Sequence, residues 1–169
     1  MPPEQGGARA QSLRTEARFD YCMIALIQRV TQASVRVDGC NIAAIEHGLL
    51  ALIGIVRDDT QASADRLLER MLDYRLFADG NARMTLSLRE VRGGLLLVPQ
   101  FTLAADTGRG NRASFSPAAE PAVAEGLFDY LLSRARASHE PVAAGQFGAH
   151  MQVSLVNDGP VTFWLQSAT

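Results

Sequence analysis

The sequence has few of the residues that build metal centres and disulfide frameworks. It contains two cysteines, Cys22 and Cys40, and three histidines among 169 residues. The cysteines are far apart, show no CxxC spacing and have no histidines clustered around them, so neither a zinc site nor a disulfide framework is predicted. We therefore expect free thiols in a reducing cytoplasm.

Several other features are also missing. No apolar run approaches the length that spans a bilayer, so a membrane protein is not expected. The net charge of -2 argues against a broad basic face for duplex nucleic acid, but it is compatible with binding a short single-stranded RNA end. GxGxxG, P-loop and GxSxG motifs are absent, which excludes the common nucleotide-binding and hydrolase classes.

What is present is the composition of one globular domain. Hydrophobic residues make up 47% of the chain and charged residues 20%. Residues 1–22 are rich in Pro, Gly, Ala, Arg and Gln and show no apolar period, so we predict a disordered N-terminal extension there. The domain is predicted to occupy residues 23–169.

The hydrophobic pattern predicts an α+β fold. Strands are expected over residues 24–30, 34–37, 41–46, 49–56 and 94–98, with an Asp-Gly turn at residues 38–39. The 49–56 run is apolar throughout, which predicts a strand buried on both faces. Helical spacing predicts a helix over residues 61–74, capped by oxygens of residues 58–60, and Glu120-Pro121 opens a second helix. We therefore expect a single domain with a largely antiparallel, barrel-like sheet covered by two main helices.

Residues 151–165 alternate between apolar and polar residues, which predicts two strand segments, and Asn-Asp-Gly-Pro at residues 157–160 separates them. Gly159 can adopt backbone angles that are closed to other residues, and Pro160 has no N–H to donate. This pair is therefore predicted to interrupt the strand ladder and to turn bare carbonyls outward. On spacing alone, an ordinary hairpin or bulge turn is the alternative.

A second motif, Pro-Gln-Phe-Thr-Leu-Ala-Ala-Asp at residues 99–106, follows a buried strand. Thr102 is its first hydroxyl, which suggests a threonine nucleophile that forms an acyl-enzyme. No histidine has a spacing that places a base beside it. A hydrogen-bonding or packing role for Thr102 is therefore the alternative.

Both motifs resemble those of the D-aminoacyl-tRNA deacylase family. Residues 157–162 are similar to its Gly-cisPro motif, residues 100–106 to its Ser-Gln-x-Thr signature, and the segment that starts at Met23 to its N-terminus. The resemblance extends to about Gln166. It implies a cytoplasmic homodimer, free of metals and cofactors, that hydrolyses the ester between a D-amino acid and the tRNA 3′-end, with glycyl-tRNA as a further substrate.

The resemblance assigns a chiral filter to the C-terminal motif. In the family, Gly159 and Pro160 of one subunit would enter the partner's pocket, where their carbonyls exclude the side chain of an L-residue. Asn157 is placed with them, and Arg29 would brace their loop. Without the resemblance, Arg29 is predicted to be a surface arginine on an edge strand.

The resemblance also implies a site for catalysis and for the terminal adenosine. The backbone around Gln100, Phe101 and Thr102 would hold an oxyanion, while the 2′-hydroxyl of the adenosine activates water. Phe147 and Met151 match the adenosine pocket, where an aromatic ring can stack on the base. The pattern alone predicts Phe147 to be a core residue.

Two further features leave alternatives open. Arg109 and Arg112 lie in a glycine-rich loop after the second motif, where they are predicted either to contact the tRNA acceptor stem or to be solvated. Pro99 stands where the family signature has serine, and it lacks both the hydroxyl and the N–H. A dimeric nucleic-acid-binding module with weakened catalysis is therefore one alternative function, and an esterase with a Thr102 nucleophile is another.

Overall fold

The computed structural model describes residues 22–167, so the predicted extension lies outside it except for Cys22. The strands are β1 (Ile24–Val37), β2 (Cys40–Ile45), β3 (Gly48–Gly54), β4 (Phe77–Ala78), β5 (Met84–Leu86), β6 (Gly94–Pro99), β7 (Val142–Ala144) and β8 (Gln152–Gln166). The helices are α1 (Gln61–Asp73), α2 (Leu88–Val91) and α3 (Pro121–Ser138), with a 3₁₀ helix at Phe101–Ala104. Within residues 22–167 no helix is both long and apolar enough to cross a membrane.

Strand β1 organises the main sheet. On one edge it pairs first with β3 and then with β2, and along the other edge it pairs with β8. These three pairings are antiparallel, whereas β3 pairs with β6 and β6 with β7 in parallel. The strand order is β2-β1-β3-β6-β7, with β8 on β1, and the mixed sheet nearly closes into a barrel. The α+β single-domain prediction is confirmed, but the two parallel pairings were not predicted.

The structure joins two pairs of predicted strands. Residues 24–30 and 34–37 were predicted as separate strands because Thr31 and Gln32 are polar, yet β1 runs through them without a break. Gln32 pairs with Val156 of β8, so the partner strand supplies the continuity that the local pattern lacks. Likewise, β8 is a single strand across the Asn-Asp-Gly-Pro interruption.

The sheet has an apolar layer on each face. Alternate residues of β3 face opposite sides, so Leu49, Ala51 and Ile53 pack towards α1 and α3, while Leu50 belongs to the second cluster on the other face. This confirms the prediction that the 49–56 run is buried on both faces. Full burial of each large aliphatic side chain contributes about 1.5–3 kcal/mol, so these layers hold the site's strands in register.

Helix α1 begins with a capping box in which Thr60 accepts from the Ser63 amide and the Ser63 hydroxyl accepts from the Thr60 amide. The prediction that all of residues 58–60 supply capping oxygens is therefore wrong for Asp59. The buried carboxylate of Asp59 instead accepts from the amides of Met23 and Val56, both at 2.8 Å. Pro121 occupies the first turn of α3, as predicted.

Candidate functional site

The parallel strands β3, β6 and β7 bring the second motif and the segment before β8 to one edge of the sheet. Their carboxyl ends lie side by side, because Ile53 is the register partner of Pro99 and Leu97 that of Ala144. Residues 100–102 continue from β6 and residues 145–151 from β7. We call this region the carboxyl edge. Such edges are where open α/β sheets collect functional groups.

Backbone geometry fixes the start of the carboxyl edge. The Gln100 amide donates to the Ile53 carbonyl at 2.7 Å, which anchors the 3₁₀ helix to β3. A Cβ on Gly54 would lie 2.8 Å from the Leu103 Cβ, so the helix packs directly on the glycine backbone. The amides of Phe101 and Thr102, at the helix start, donate to no atom of residues 22–167. Two N–H groups are therefore free to bind an external acceptor.

Pro99 stands at the end of β6. The amide of residue 100 points to β3, so that of residue 99 would point to the opposite edge, towards β7. The Gly145 amide donates to the Leu97 carbonyl at 2.8 Å, so the next bond of this parallel ladder would run from residue 99 to the Gly145 carbonyl. Proline is tolerated at such strand ends. Relative to the family serine, Pro99 therefore removes the hydroxyl and this last ladder donor.

Thr102 has a hydrogen-bond partner within the second motif. Its Oγ1 accepts a bond from the Gln100 side chain. Two histidines are engaged elsewhere, because the His47 ring packs on Phe77 and the His139 Nε2 bonds the Gly93 carbonyl. His150 lies in the segment after β7, is exposed and has no hydrogen bond to Thr102 or to any other residue in 22–167. The bond to Gln100 therefore matches the hydrogen-bonding alternative for Thr102.

The Asn-Asp-Gly-Pro segment forms a bulge in the β1–β8 ladder. Gln28 pairs with Thr162 and Val30 with Asn157, so a single β1 residue, Arg29, stands opposite the four residues 158–161. We call these four residues the ledge. Gly159 and Pro160 are exposed and joined by a cis peptide bond. The predicted interruption of the ladder is thus present as a wide bulge rather than a hairpin.

Side chains beneath the ledge bond to its backbone. Arg29 Nε donates to the Asp158 carbonyl at 3.1 Å and lies 3.2 Å from the Asp158 carboxylate, while Nη1 donates to the Leu76 carbonyl at 2.7 Å. The Asn157 side-chain Oδ1 accepts from the Val161 amide at 2.7 Å, and its Nδ2 donates to Thr162 Oγ1 at 3.0 Å. Arg29 is only 13% exposed, so the alternative of an ordinary surface arginine is wrong.

Gly159 adopts a conformation that other residues rarely reach. Its φ is +133°, and a Cβ built on it would lie 2.7 Å from the Val161 Cγ2 and 3.0 Å from the Val161 amide nitrogen. A side chain here would therefore clash with the ledge itself. The bare backbone that the sequence suggested is required by this geometry.

The predicted adenosine-pocket residues follow β7 but pack on different apolar clusters. Phe147 is half-buried against the cluster beneath the helices, and Met151 packs against the cluster on the opposite face. The Met151 Sδ accepts from the Gln146 amide at 3.3 Å. A Cβ on Gly145 would lie 2.8 Å from that Sδ and 3.4 Å from the Pro99 Cδ, so Met151 lies next to the start of the carboxyl edge.

Arg109 and Arg112 lie in a loop that leaves the carboxyl edge. Backbone bonds between Asp106 and Ser114, at 2.8 and 2.9 Å, close the loop at its base. Both arginines are exposed, and neither forms an ion pair or hydrogen bond within residues 22–167. Their guanidinium groups are available for an anionic partner.

The ledge and the carboxyl edge are far apart in one chain. Arg29 of β1 lies opposite the ledge. Ala25, on the same strand, pairs with Ile53 of β3, which in turn pairs with Pro99 at the end of β6. Ala25 therefore marks the level of the carboxyl edge on β1. Four residues along β1 correspond to about 13 Å, and β8 is three strand positions from β6. The ledge is therefore offset from the carboxyl edge of its own chain by about 13 Å along the strands.

One carboxylate in the loop after β3 is buried. Burial raises the pKa of Asp59, although the bonds from Val56 and Met23 act in the opposite direction. Among residues 22–167 no three side chains of the His, Cys, Asp or Glu types gather as a metal site would require. The donors at the start of the 3₁₀ helix are the backbone amides of Phe101 and Thr102.

Sequence reasoning missed the residues that shape these surfaces. Gly54 and Gly145 permit close contact at the carboxyl edge, and the only signal for them was a glycine at the end of an apolar run. Phe115 was also missed, although its ring contacts the Phe101 ring with centroids 5.0 Å apart. That contact depends on a loop conformation that no local pattern specifies.

Comparison with known proteins places the chain among tRNA deacylases. The sequence model of a family described as D-Tyr-tRNA(Tyr) deacylase matches residues 26–166. A D-aminoacyl-tRNA deacylase of Thioalkalivibrio sulfidiphilus is 67% identical over 144 residues, which cover 85% of this chain and 97% of the relative. One from Nitrosococcus oceani is 60% identical over 144 residues, with coverages of 85% and 93%.

Two solved structures share the fold. One, named c-Myc DNA Unwinding Element Binding Protein, is 38% identical with a TM-score of 0.82, and the match covers 86% of this chain and 99% of that one. The other, a probable eukaryotic D-amino acid tRNA deacylase, has the same coverages with 16% identity and a TM-score of 0.73. At that identity the second match is informative about the fold alone.

Proposed function

Because the chain belongs to the D-Tyr-tRNA(Tyr) deacylase family, we propose that it hydrolyses the ester between a D-amino acid and the 3′-end of tRNA and spares the L-ester. The observation that carries this proposal is the ledge of residues 158–161. It presents an exposed Gly159–Pro160 backbone that is braced from below by Arg29 and Asn157.

The ledge supports selection by steric exclusion. A D-residue, or glycine, can present the hydrogen on its Cα to a wall of backbone carbonyls. An L-residue in the same pose would direct its side chain into that wall. Rejection by a rigid backbone needs no contact with the accepted side chain, so many D-amino acids and glycyl-tRNA would be substrates.

The carboxyl edge supports ester hydrolysis without a protein nucleophile. The free amides of Phe101 and Thr102 can stabilise the oxyanion that forms as water attacks the ester carbonyl. Because no histidine within residues 22–167 bonds the Thr102 hydroxyl, we propose that the adenosine 2′-hydroxyl activates the water. Gln100 then acts by holding the Thr102 hydroxyl and the start of the helix in place.

The separation of the two surfaces supports a homodimer with a shared site. Since the ledge is about 13 Å along the strands from the carboxyl edge of its own chain, we propose that it serves the carboxyl edge of a second copy. Phe147 and Met151, which follow β7, would contact the terminal adenosine. Arg109 and Arg112 would contact acceptor-stem phosphates. We propose that the protein acts in the cytoplasm.

The decisive experiment compares matched esters. Purified protein is incubated with D-tyrosyl-, L-tyrosyl- and glycyl-tRNA in the presence of EDTA. We expect rapid loss of the D-ester and of the glycyl ester, and survival of the L-ester. Equal loss of the D- and L-esters would contradict the filter, and dependence on added metal would contradict the metal-free mechanism.

The competing mechanism is an esterase with a Thr102 nucleophile. Thr102→Ala removes the hydroxyl but keeps the backbone amide. We therefore expect the rate of D-tyrosyl-tRNA hydrolysis to stay within about tenfold of wild type. Removal of an oxyanion donor, by comparison, lowers the rate by about 100-fold or more. Trapping of an acyl-enzyme in wild type, together with an inactive variant, would instead establish the nucleophile.

A second candidate function is binding of nucleic acid without turnover. One relative of the same fold is named for binding a DNA element, and Pro99 removes a hydroxyl that the family signature provides. The ester assay separates the two functions when it is paired with binding of uncharged tRNA. Binding with no turnover of any ester would favour the binding module, and reversal by Pro99→Ser would identify the cause.

A further inference from the structure

Two aromatic rings lie exposed beside the carboxyl edge. Phe101 is 60% exposed and Phe115 is 45% exposed, although apolar rings of this size are normally buried. Their centroids are 5.0 Å apart and their planes are tilted by 44°. The Phe101 side chain belongs to the same residue as one of the two free amides, so the ring pair directly adjoins the proposed reaction centre.

The loop that carries Phe115 is held in place by the body of the protein. The Arg57 amide donates to the Pro117 carbonyl at 2.9 Å, and the Arg57 guanidinium donates to the Ser116 carbonyl at 2.6 Å. The Ala119 amide donates to the Ile55 carbonyl at 3.1 Å. An apolar group that is fixed in an exposed position, rather than left on a loose loop, indicates a contact surface.

The charges around the ring pair match a nucleotide. The loop between Ala105 and Ala119 contains Arg109 and Arg112 and one acidic residue, Asp106, whose carboxylate accepts from the Gly108 amide. Neither arginine has a partner within residues 22–167. Stacking surfaces with neighbouring cations are the recognition chemistry of single-stranded nucleic acid. An apolar amino-acid side chain would use the rings but not the cations.

We propose that Phe101 and Phe115 form a stacking site for the nucleobase that precedes the terminal adenosine of tRNA, with Arg109 and Arg112 contacting the phosphates where this 3′-end joins the acceptor stem. This inference depends on the proposed function. It extends that function by adding a second base contact to the one assigned to Phe147. Stacking at this second contact does not depend on which base is present. The site would accept the single-stranded 3′-end shared by all tRNAs.

The test compares two substrates that carry the same amino acid. D-Tyrosyl-adenosine has no preceding base, whereas the D-tyrosyl ester of the trinucleotide CCA does. The measured quantity is kcat/KM for the trinucleotide ester divided by kcat/KM for the adenosine ester. We expect Phe115→Ala to lower this ratio by about 5- to 150-fold, the range that stacking of one base provides. Phe115→Trp should preserve the ratio because it keeps a stacking ring.

Controls separate this site from other roles. Met84 is 49% exposed on β5, so Met84→Ala tests the loss of an exposed apolar side chain elsewhere and should leave the ratio unchanged. Equal losses of kcat/KM on both substrates would mean that Phe115 only supports Phe101. Loss of the dimer in the variant would mean that a second copy covers the rings. Either result overturns the proposal. Failure of wild type on both substrates would instead count against the proposed function.

Discussion

The ledge and the carboxyl edge are built from opposite uses of the backbone. In the ledge, side chains of Arg29 and Asn157 bond the backbone from below, and the surface presents a bare Gly-Pro pair. At the carboxyl edge, the amides of Phe101 and Thr102 donate to no atom of the described part of the chain, residues 22–167. A surface that excludes a side chain must resist displacement, whereas one that stabilises a developing charge must keep its donors free.

This difference predicts that the two surfaces fail in different ways. Damage to the ledge should change the discrimination between D- and L-esters as well as the rate. Damage to the carboxyl edge should lower the rate for every ester and leave the D/L ratio unchanged. Each surface contains a glycine that makes close contact, which allows matched substitutions.

The largest effect is expected from Gly159→Ala. The new Cβ would lie 2.7 Å from the Val161 Cγ2, at a φ of +133° that alanine rarely adopts, so the ledge must move. Misplacement by about 1 Å can cost about 100-fold in rate, and we expect a loss of that size for D-tyrosyl-tRNA together with a smaller D/L ratio. Rates for matched D- and L-tyrosyl-tRNA measure both.

The control for this change is Gly126→Ala in α3, where a Cβ meets nothing within 4 Å. Alanine is a better helix former than glycine by about 1 kcal/mol, so this variant should keep full activity and unfold at a slightly higher temperature. An unchanged rate and D/L ratio in the Gly159 variant would contradict the role given to the ledge.

Gly54→Ala should have the next largest effect. Its Cβ would lie 2.8 Å from the Leu103 Cβ and 3.5 Å from the Ala104 amide nitrogen, which pushes the 3₁₀ helix away from β3. Overpacking of this kind costs about 1–3 kcal/mol of stability. We expect kcat for D-tyrosyl-tRNA to fall about 10- to 100-fold because the free amides shift. A changed D/L ratio would show that the two surfaces are not separable.

Arg29→Ala should act on the ledge more mildly than Gly159→Ala. The change removes bonds to the Asp158 and Leu76 carbonyls but adds no clash. Leaving such acceptors unsatisfied costs about 1–3 kcal/mol, and we expect about a tenfold slower D-ester hydrolysis with a reduced D/L ratio. Arg36→Ala on the same strand is the control, since the one side-chain hydrogen bond of Arg36 within residues 22–167 goes to the exposed Gly39 carbonyl. Equal behaviour of the two variants would remove Arg29 from the site.

Local pattern was sufficient for the individual elements and motifs. The alternation in residues 151–165 and the Gly-Pro break predicted an interrupted ladder, and β8 pairs with β1 on both sides of a bulge at residues 158–161. The continuous apolar run predicted a strand buried on both faces, which is β3. These features depend on side-chain period and backbone freedom, which a single segment of sequence contains.

What could not be predicted depends on pairing between distant segments. The parallel arrangement of β3, β6 and β7 brings Gly54 and Gly145 to the second motif, and no local pattern encodes which strands become neighbours. The separation between the ledge and the carboxyl edge follows from the same register. Asp59 is a further case, because its position before a helix predicted a cap, while its carboxylate bonds Met23 and Val56 instead.

The smallest effect expected is a pH dependence from Asp59, which anchors the loop after β3. Burial raises the pKa of this carboxyl, so the folded state holds the proton more tightly than the unfolded state does. Its contribution to the free energy of unfolding should therefore grow as the pH falls through the raised pKa, and be complete below about 3.8, near the ordinary value. Urea unfolding of wild type and Asp59→Asn between pH 7 and pH 4 measures this. The wild type should gain stability relative to the variant on acidification, and a constant difference would show that Asp59 does not titrate differently in the folded state.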